Sequence, residues 1–552
     1  MSGMLGTAIS GLMAFQRSMD TTSHNIANVN TEGYSRQRVD LSANTPFLLG
    51  DHYIGQGVNV AAVTRNYDQF VNNQLTSSTS AFGDSSTLAT MAAKVDNIVS
   101  SEATGLTTAL TSFFSAVNGV ANDPTSMPAR QVLVSEASTL AQQFNQLSAK
   151  FDSLRNQSNS QIEGSLDEIN LYASNLAELN TRIAVETGRA GGSQLPNDLL
   201  DQRDVLINKI AEKVSVSASL QPNGTVNVFI GKGQAIVLGE ASMTLSLKDS
   251  ATDPSRKEVA LGGNLITRDI TGGELSGAIK FRDQVLDPAQ QQLGLVAAGM
   301  AVQFNTLHNA GFDLNGDAGA NLFSLGSPAL DVPVTAKPGT VGSVTASYDP
   351  STIGQLTPSD YELSYDGSNF ALTRLSDNTV TAFAGPPPST LSGSGFTITT
   401  SASVVANDSF VIRPTFDAAK KMTTLISDPA KIAAAGTSGG SGSPNTGDNT
   451  NALNLAKLEN ASTLAGGKLT LNKAYGQLVS KVGAQTHSAK VSSSAQEVLL
   501  NQVKQDRESL AGVNLDEEAA NLLKFQQSYQ AAAQVVSIAN SLFDSLINAV
   551  RR

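Results

Sequence analysis

Toward the C-terminus, apolar or small side chains recur in a strict alternation of three and four, at Leu522, Phe525, Tyr529, Ala532, Val536, Ala539, Phe543, Leu546 and Val550. That rhythm is a heptad seam and predicts one long helix over 514–552. Asn514 or Asp516 is placed to supply the N-cap, and Asp516, Glu517 and Glu518 put negative charge at the positive end of the helix dipole. The same spacing opens the chain, at Leu5, Ala8, Leu12, Phe15, Met19, Thr22, Ile26 and Val29. Two terminal helices are therefore expected to pair. The expected assembly interface is Leu5, Leu12, Phe15, Met19, Ile26 and Val29 from the first helix, with Leu522, Phe525, Tyr529, Val536, Phe543, Leu546 and Val550 from the last. Each such side chain gains ~1.5–3 kcal/mol on full burial. Two isolated helices cannot reach it, so neighbouring molecules are expected to complete the burial.

Between the ends the period changes twice. After the Asn28-to-Gly33 turn, residues 34–41 and 53–63 read as extended pieces around Gly55 and Gly57. From Tyr67 to Lys213 the pattern is helical, with a second seam at Phe144, Leu147, Phe151, Leu154, Ile162, Leu166, Ile169, Ala173, Leu176 and Ile183. Asn197 or Asp198 is expected to cap a helix there, and Asp201 and Asp204, with Arg203 close by, to serve in capping and surface ion pairing. At Val214 the period becomes two. Val216, Ala218 and Leu220, a Pro222-Asn223-Gly224 turn, then Val226, Val228 and Ile230 predict a β-hairpin. Helical character returns from Leu275 to His308 and again from Leu471. A second β-rich stretch includes the Tyr361–Tyr365 and Phe370–Leu372 alternation, with 386–395 read as exposed loops. Gly436 to Asn451 reads as a flexible linker.

This divides the chain into a terminal coiled-coil domain with connector (1–66 and 505–552), a discontinuous helical shaft (67–213, 270–329 and 416–504) and β-rich outer modules at 214–269 and 330–415. The fold class is mainly α with inserted β domains, an α+β multidomain chain. Its 552 residues are ample for several cores.

A net charge of -12 disfavours nucleic acid and anionic membrane surfaces as partners. With only 15% charged residues, the surface suits packing against copies of itself. The chain has no Cys, which excludes disulfides, thiolate metal sites and Cys nucleophiles. No run approaches the ~18 apolar residues of a membrane span, and no secretory leader is expected. His24, His52, His308 and His487 form no ligand pair of H-E-x-x-H type. Asp313 to Gly319 begins like a calcium loop, but Ala318 replaces the required Gly and Ser324 the bidentate Glu, so a turn is expected. No phosphate-binding, nucleophile-elbow or dinucleotide motif is present in the right context. No catalytic, metal or cofactor site is expected.

Two blocks at opposite ends carry a resemblance. One is Ser23-His24-Asn25-Ile26-Ala27-Asn28-Val29-Asn30-Thr31-Glu32-Gly33-Tyr34-Ser35-Arg36-Gln37. The other runs from Gly512-Val513-Asn514-Leu515-Asp516-Glu517-Glu518 through Leu522 to Phe525-Gln526-Gln527-Ser528-Tyr529-Gln530-Ala531. Together they resemble the bacterial flagellar axial family of rod, hook and hook-associated proteins. Tyr34 to Gln37, Pro196 to Asp204, Gly311 to Phe323 and Asn514 to Glu518 look like the member at the hook-filament junction. The resemblance implies terminal helices lining an inner tube, β domains facing outward, and self-assembly into a ring of copies. It also implies contact with hook protein and hook-associated protein 3, an export chaperone on the C-terminal helix, and type III export without cleavage to an extracellular flagellum. A rod or hook subunit of the same family fits the termini but not the long helical 67–213 region. A secreted coiled-coil effector or adhesin fits the composition but not both terminal blocks, and a secreted hydrolase has no positive support.

Overall fold

The computed structural model describes residues 2–49, 51–101, 105–191, 194–326, 330–439 and 444–550, with only the backbone of Ser2, Leu49 and Leu546. Helix α1 (Ser2–Ala27) leads into strand β1 (Gln37–Ala43), the short hairpin β2 (Phe47–Leu49) and β3 (His52–Ile54), and β4 (Val58–Arg65), which pairs antiparallel with β1. Helix α2 (Gln69–Ser100), α3 (Leu106–Asn122), α4 (Met127–Arg189) and α5 (Asn197–Lys213) follow. At 1.5 Å per residue, the 63-residue α4 runs about 95 Å. Ser126 caps it through a 3.3 Å bond from the Ala129 amide, and Pro128 sits in its first turn, where no amide is needed.

The first β module holds a four-stranded antiparallel sheet, β5 (Val216–Leu220), β6 (Val226–Ile230), β7 (Gln234–Leu238) and β8 (Ala241–Ser242). Beside it β9 (Leu245–Asp249), β10 (Lys257–Leu261) and β11 (Asn264–Leu265) form a three-stranded sheet. Helix α6 (Gly273–Lys280), a π-turn over Phe281–Leu286 and α7 (Asp287–Asn309) return to the shaft. The outer module, residues 331–412, contains a five-stranded and a four-stranded antiparallel sheet. In it Tyr361–Tyr365 and Asn369–Arg374 form the expected hairpin, closed by the pair Tyr365 and Phe370. Helix α8 (Ala418–Lys421), α9 (Thr450–Lys457), α10 (Leu471–Ala511) and α11 (Leu515–Val550) complete the chain. No helix among the described residues is long and apolar enough to cross a membrane.

One contiguous core joins α2–α7, the start of α10 and both β modules; the α4 seam from Phe144 to Leu176 is buried in it, and Ile183 in a smaller cluster with Leu179 and Leu200. Small side chains on α4 permit close approach: Ser158 is buried and its hydroxyl donates to the Ala278 carbonyl of α6. Buried and half-buried ion pairs tie the outer module and the first β module to mid-shaft. Arg155 of α4 meets Asp287 at 2.8 Å, Arg256 reaches Asp283 and Asp287, and Arg413 reaches Asp253 and Asp360 while its guanidinium stacks 3.5 Å over Phe416.

Several expectations are corrected. Val29 lies past the end of α1, because the Asn28 side chain folds back onto the His24 carbonyl and closes the helix. Residues 389–395 are not a free loop: Thr390–Gly393 pairs with Phe396–Thr400 as the edge of the four-stranded sheet. The 436–451 stretch is tied down in its described part. Asp448 accepts the Gly436 and Thr437 amides, Asn451 donates to Ala433 and Asn449 to Ala121, so short polar side chains anchor what composition reads as a linker. Residues 440–443 of it lie outside the described residues. Asp313 is a turn residue as expected, its Oδ1 accepting the Asn315 and Asp317 amides.

Candidate assembly site

The terminal helices pair antiparallel: Asn25, near the end of α1, donates from Nδ2 to Glu518 Oε2 in the first turn of α11 at 3.0 Å. Asn514 is the cap of α11, its Oδ1 accepting the Asp516 and Glu517 amides. Within the pair Ala8, Ala14, Ser18, Thr21, Thr22 and Asn25 are buried on α1, and Glu518 and Ala539 on α11. Leu5, Leu12, Phe15, Met19 and Ile26 are half-buried, as are Leu522, Phe525, Tyr529 and Val536. Phe543 is 52% exposed and Val550 80%. Val29 is half-buried in the turn after α1, and the side chain of Leu546 lies outside the described residues. Helix α1 has 26 residues and α11 has 36, so α11 overhangs its partner and carries the seam past it.

The conspicuous polar stretches of the sequence meet where this pair joins the shaft. Asn25 uses its whole side chain: Nδ2 donates to the Gln37 carbonyl and Glu518, while Oδ1 accepts the Gln37 amide at 2.9 Å and the Tyr34 hydroxyl at 2.8 Å. Burial first, then Asp198, Asp201 and Glu518, push the Tyr34 pKa far up, so its hydroxyl remains a donor. Arg36 binds Glu518 through Nε at 2.7 Å and Glu517 through Nη1 at 3.1 Å. Residues 34–37 thus bridge the two bodies, and Gln37 binds both, its backbone to Asn25 and its side chain to the shaft. Tyr34 and Arg36 grip the terminal pair, whereas the Ser35 amide donates to Asp201 of α5 and Gln37 Nε2 to Asp198.

Helix α5 supplies the shaft side of this knot. Arg65 sits between Asp201 at 2.7 Å and Asp204 at 2.8 Å, and Arg203 joins Asp204 to the Gly224 carbonyl of the β5–β6 turn. Burial alone lowers the Arg65 pKa, but Asp204 and Asp201 outweigh it and hold the guanidinium above its ordinary value. Asp201 and Asp204 are therefore not surface pairs. Neither Asn197 nor Asp198 caps α5: Pro196 holds that position without a side-chain bond, Asn197 donates to Val63, and Asp198 receives Gln37 and His24. These residues reach across 134 positions or more, which no local pattern signals. Gly33 is needed at φ +77, where a Cβ would lie 2.1 Å from Val205 Cγ2. Among the described residues no His, Cys, Asp and Glu cluster is placed to hold a metal.

The chain matches the family profile described as flagellar hook-associated protein FlgK helical domain over 92–323, and that of the hook-associated protein 1 D2-like domain over 335–414. Residues 5–34 match the flagella basal body rod protein profile, and 505–549 the C-terminal profile of the basal body rod FlgEFG proteins. Flagellar hook-associated protein 1 of Escherichia coli K12 is 36% identical over 99% of this chain and 100% of its own, and that of Bacillus subtilis 26% over 99% and 97%. The structure of the flagellar hook junction protein FlgK from Burkholderia pseudomallei superposes with a TM-score of 0.70 at 28% identity, covering 80% of this chain and all of that one.

Proposed function

The chain belongs to the flagellar hook-associated protein 1 family, and we propose that it works there through its two ends, which line the axial tube as a ring of copies. It is a structural axial protein of the bacterial flagellum at the hook-filament junction, with a role in filament assembly. On this reading its neighbours are hook protein on one side and hook-associated protein 3 on the other. A cytoplasmic chaperone covers the α11 seam before export to the cell exterior. Its task is mechanical and involves no catalytic step. The functional division into terminal pair (1–66 and 505–552), shaft (67–213, 270–329 and 416–504) and outer modules (214–269 and 330–415) belongs to the same proposal.

The observation that carries it is the overhang: Phe543 and Val550 continue a seam whose intramolecular partner has ended. An apolar heptad face left bare on a monomer marks an interaction surface. Val536→Asp or Phe543→Asp should abolish incorporation into flagella with the shaft still folded by circular dichroism. Wild-type filaments from either variant overturn the role of the seam. Deletion of the gene should leave hooks intact and release unpolymerised filament subunit; loss of the hooks favours a rod or hook role.

A further inference from the structure

Where the outer module meets the first β module and α4, one group of buried charges balances and its neighbour does not. In the larger group Arg155, Arg256 and Arg282 interlock with Glu258, Asp283 and Asp287. Beside it Arg413 alone serves two carboxyls, Asp253 through Nη1 at 3.0 Å and Asp360 through Nε at 3.2 Å, and none of the three side chains is more than 19% exposed. Among the described residues neither carboxyl has another cation within ion-pair distance. A buried carboxylate without its own counter-ion is so costly that such a group gives up its charge instead.

The two carboxyls are not equivalent. Asp253 lies in the β9–β10 turn, where Oδ1 accepts the Ser255 amide at 3.0 Å and the Ser255 hydroxyl at 2.5 Å while Oδ2 faces Arg413. Burial raises its pKa, but Arg413, the Ser255 hydroxyl and Arg155 outweigh burial and bring it below the ordinary value. Asp360 immediately precedes the strand Tyr361–Tyr365, and Arg413 immediately follows Ser409–Ile412. These strands pair with Tyr361 opposite Ile412, which sets Asp360 beside Arg413. Its Oδ2 accepts the Arg413 Nε–H, whereas Oδ1 is shut off from solvent with no hydrogen-bond partner. Burial pushes the Asp360 pKa up, and Asp287 of α7 and Asp253 add to this against the pull of Arg413. Of the charged groups facing Asp360 only Arg413 is a base, since Arg155 is engaged with Asp287. Two acids pushed apart in this way divide their roles, one ionised and one neutral.

We propose that Asp360 holds a proton on Oδ1 when the outer module is docked, so that docking of this module against the first β module is linked to proton uptake. The proton comes from water: Asp360 Oδ1 gains an O–H bond, Oδ2 goes on accepting from Arg413 as part of a neutral acid, and Asp253 becomes the single counter-ion of Arg413. An acid whose docked pKa lies above its free value supports docking in full below the free value and loses that support as pH rises through the docked one. The outer module therefore sits most firmly in mild acid and loosens toward alkaline pH. Asp360→Asn, which imitates the neutral acid, should leave hydrogen exchange of residues 409–416 no more than about twofold above wild type at neutral pH, whereas Asp253→Asn, which removes a true counter-ion, should raise it roughly tenfold or more. Equal increases in the two variants overturn the proposal. A second measurement does not depend on Asp253→Asn folding. The infrared spectrum of the purified chain should contain the C=O stretch of a protonated carboxyl that fades as pH rises between about 5 and 9 and is missing from Asp360→Asn. No such band in the difference between wild type and Asp360→Asn anywhere in that range overturns the proposal as well.

Discussion

Helices α4 and α11 share one rhythm of apolar positions and have opposite surroundings. On α4, Phe144, Phe151, Ile162, Ile169 and Leu176 are buried in the main core, and Ile183 is buried beside Leu200 of α5. On α11, Leu522 to Val536 are only half-buried and Phe543 and Val550 are bare. Heptad spacing therefore specifies a helix with one apolar face and says nothing of whether the covering surface belongs to the same chain. The flanking residues differ in the same sense. Helix α4 and its neighbours carry the buried Arg155–Asp287 pair, whereas α11 beyond Lys524 has Asp544 as its one charged residue up to Val550.

Truncation should expose this difference most plainly. Phe151→Ala, which opens a cavity in the shaft, is expected to cost about 3–5 kcal/mol in chemical denaturation of the purified chain. An equally small effect there as on α11 would erase the distinction. Acid should act on the shaft next. His308 is buried, with Nε2 accepting the Ala433 amide and Nδ1 donating to the Ala320 carbonyl; burial above all, and then Arg130 against the Ala320 bond, lowers its pKa from 6.5 to about 4. A depressed folded-state pKa contributes stability above pH 6.5 that is lost as pH falls toward 4. The loss should reach roughly 3 kcal/mol and be absent in His308→Gln, as thermal melts across that range will test. Asn25→Ala leaves the Gln37 amide and Glu518 short of partners in the knot and should cost about 2 kcal/mol. The loss should be local: protease should free both ends sooner while the shaft melts as before. Smallest of all, Phe543→Ala should change monomer stability by under ~0.5 kcal/mol, since that side chain has little to lose.

The helices, the β5–β6 hairpin and the long seams were legible in sequence because each writes a period of its own, 3.6 or 2. Val29 continues the apolar rhythm one step beyond the helix, because the Asn28 side chain closes α1 just before it. Asn197, Asp198 and Asp201 were legible as a helix start but not as the shaft side of the knot, since Asn and Asp before a helix are ordinary caps and their actual partners lie in the connector. The 436–451 stretch misled for a related reason. Its Gly and Ser content hides Asp448, which ties the two ends of the stretch together, and Asn449 and Asn451, which bond to backbone elsewhere. The bridging by residues 34–37 leaves no local pattern, since only the folded chain brings the two bodies to either side.

Asn25 has a consequence of a different kind. An amide with both protons and both lone pairs engaged cannot be turned over without exchanging donors for acceptors at every contact. It works as a keyway, admitting the connector in one register and one orientation. A bending load crossing the knot therefore meets a joint that gives way by breaking bonds and not by sliding.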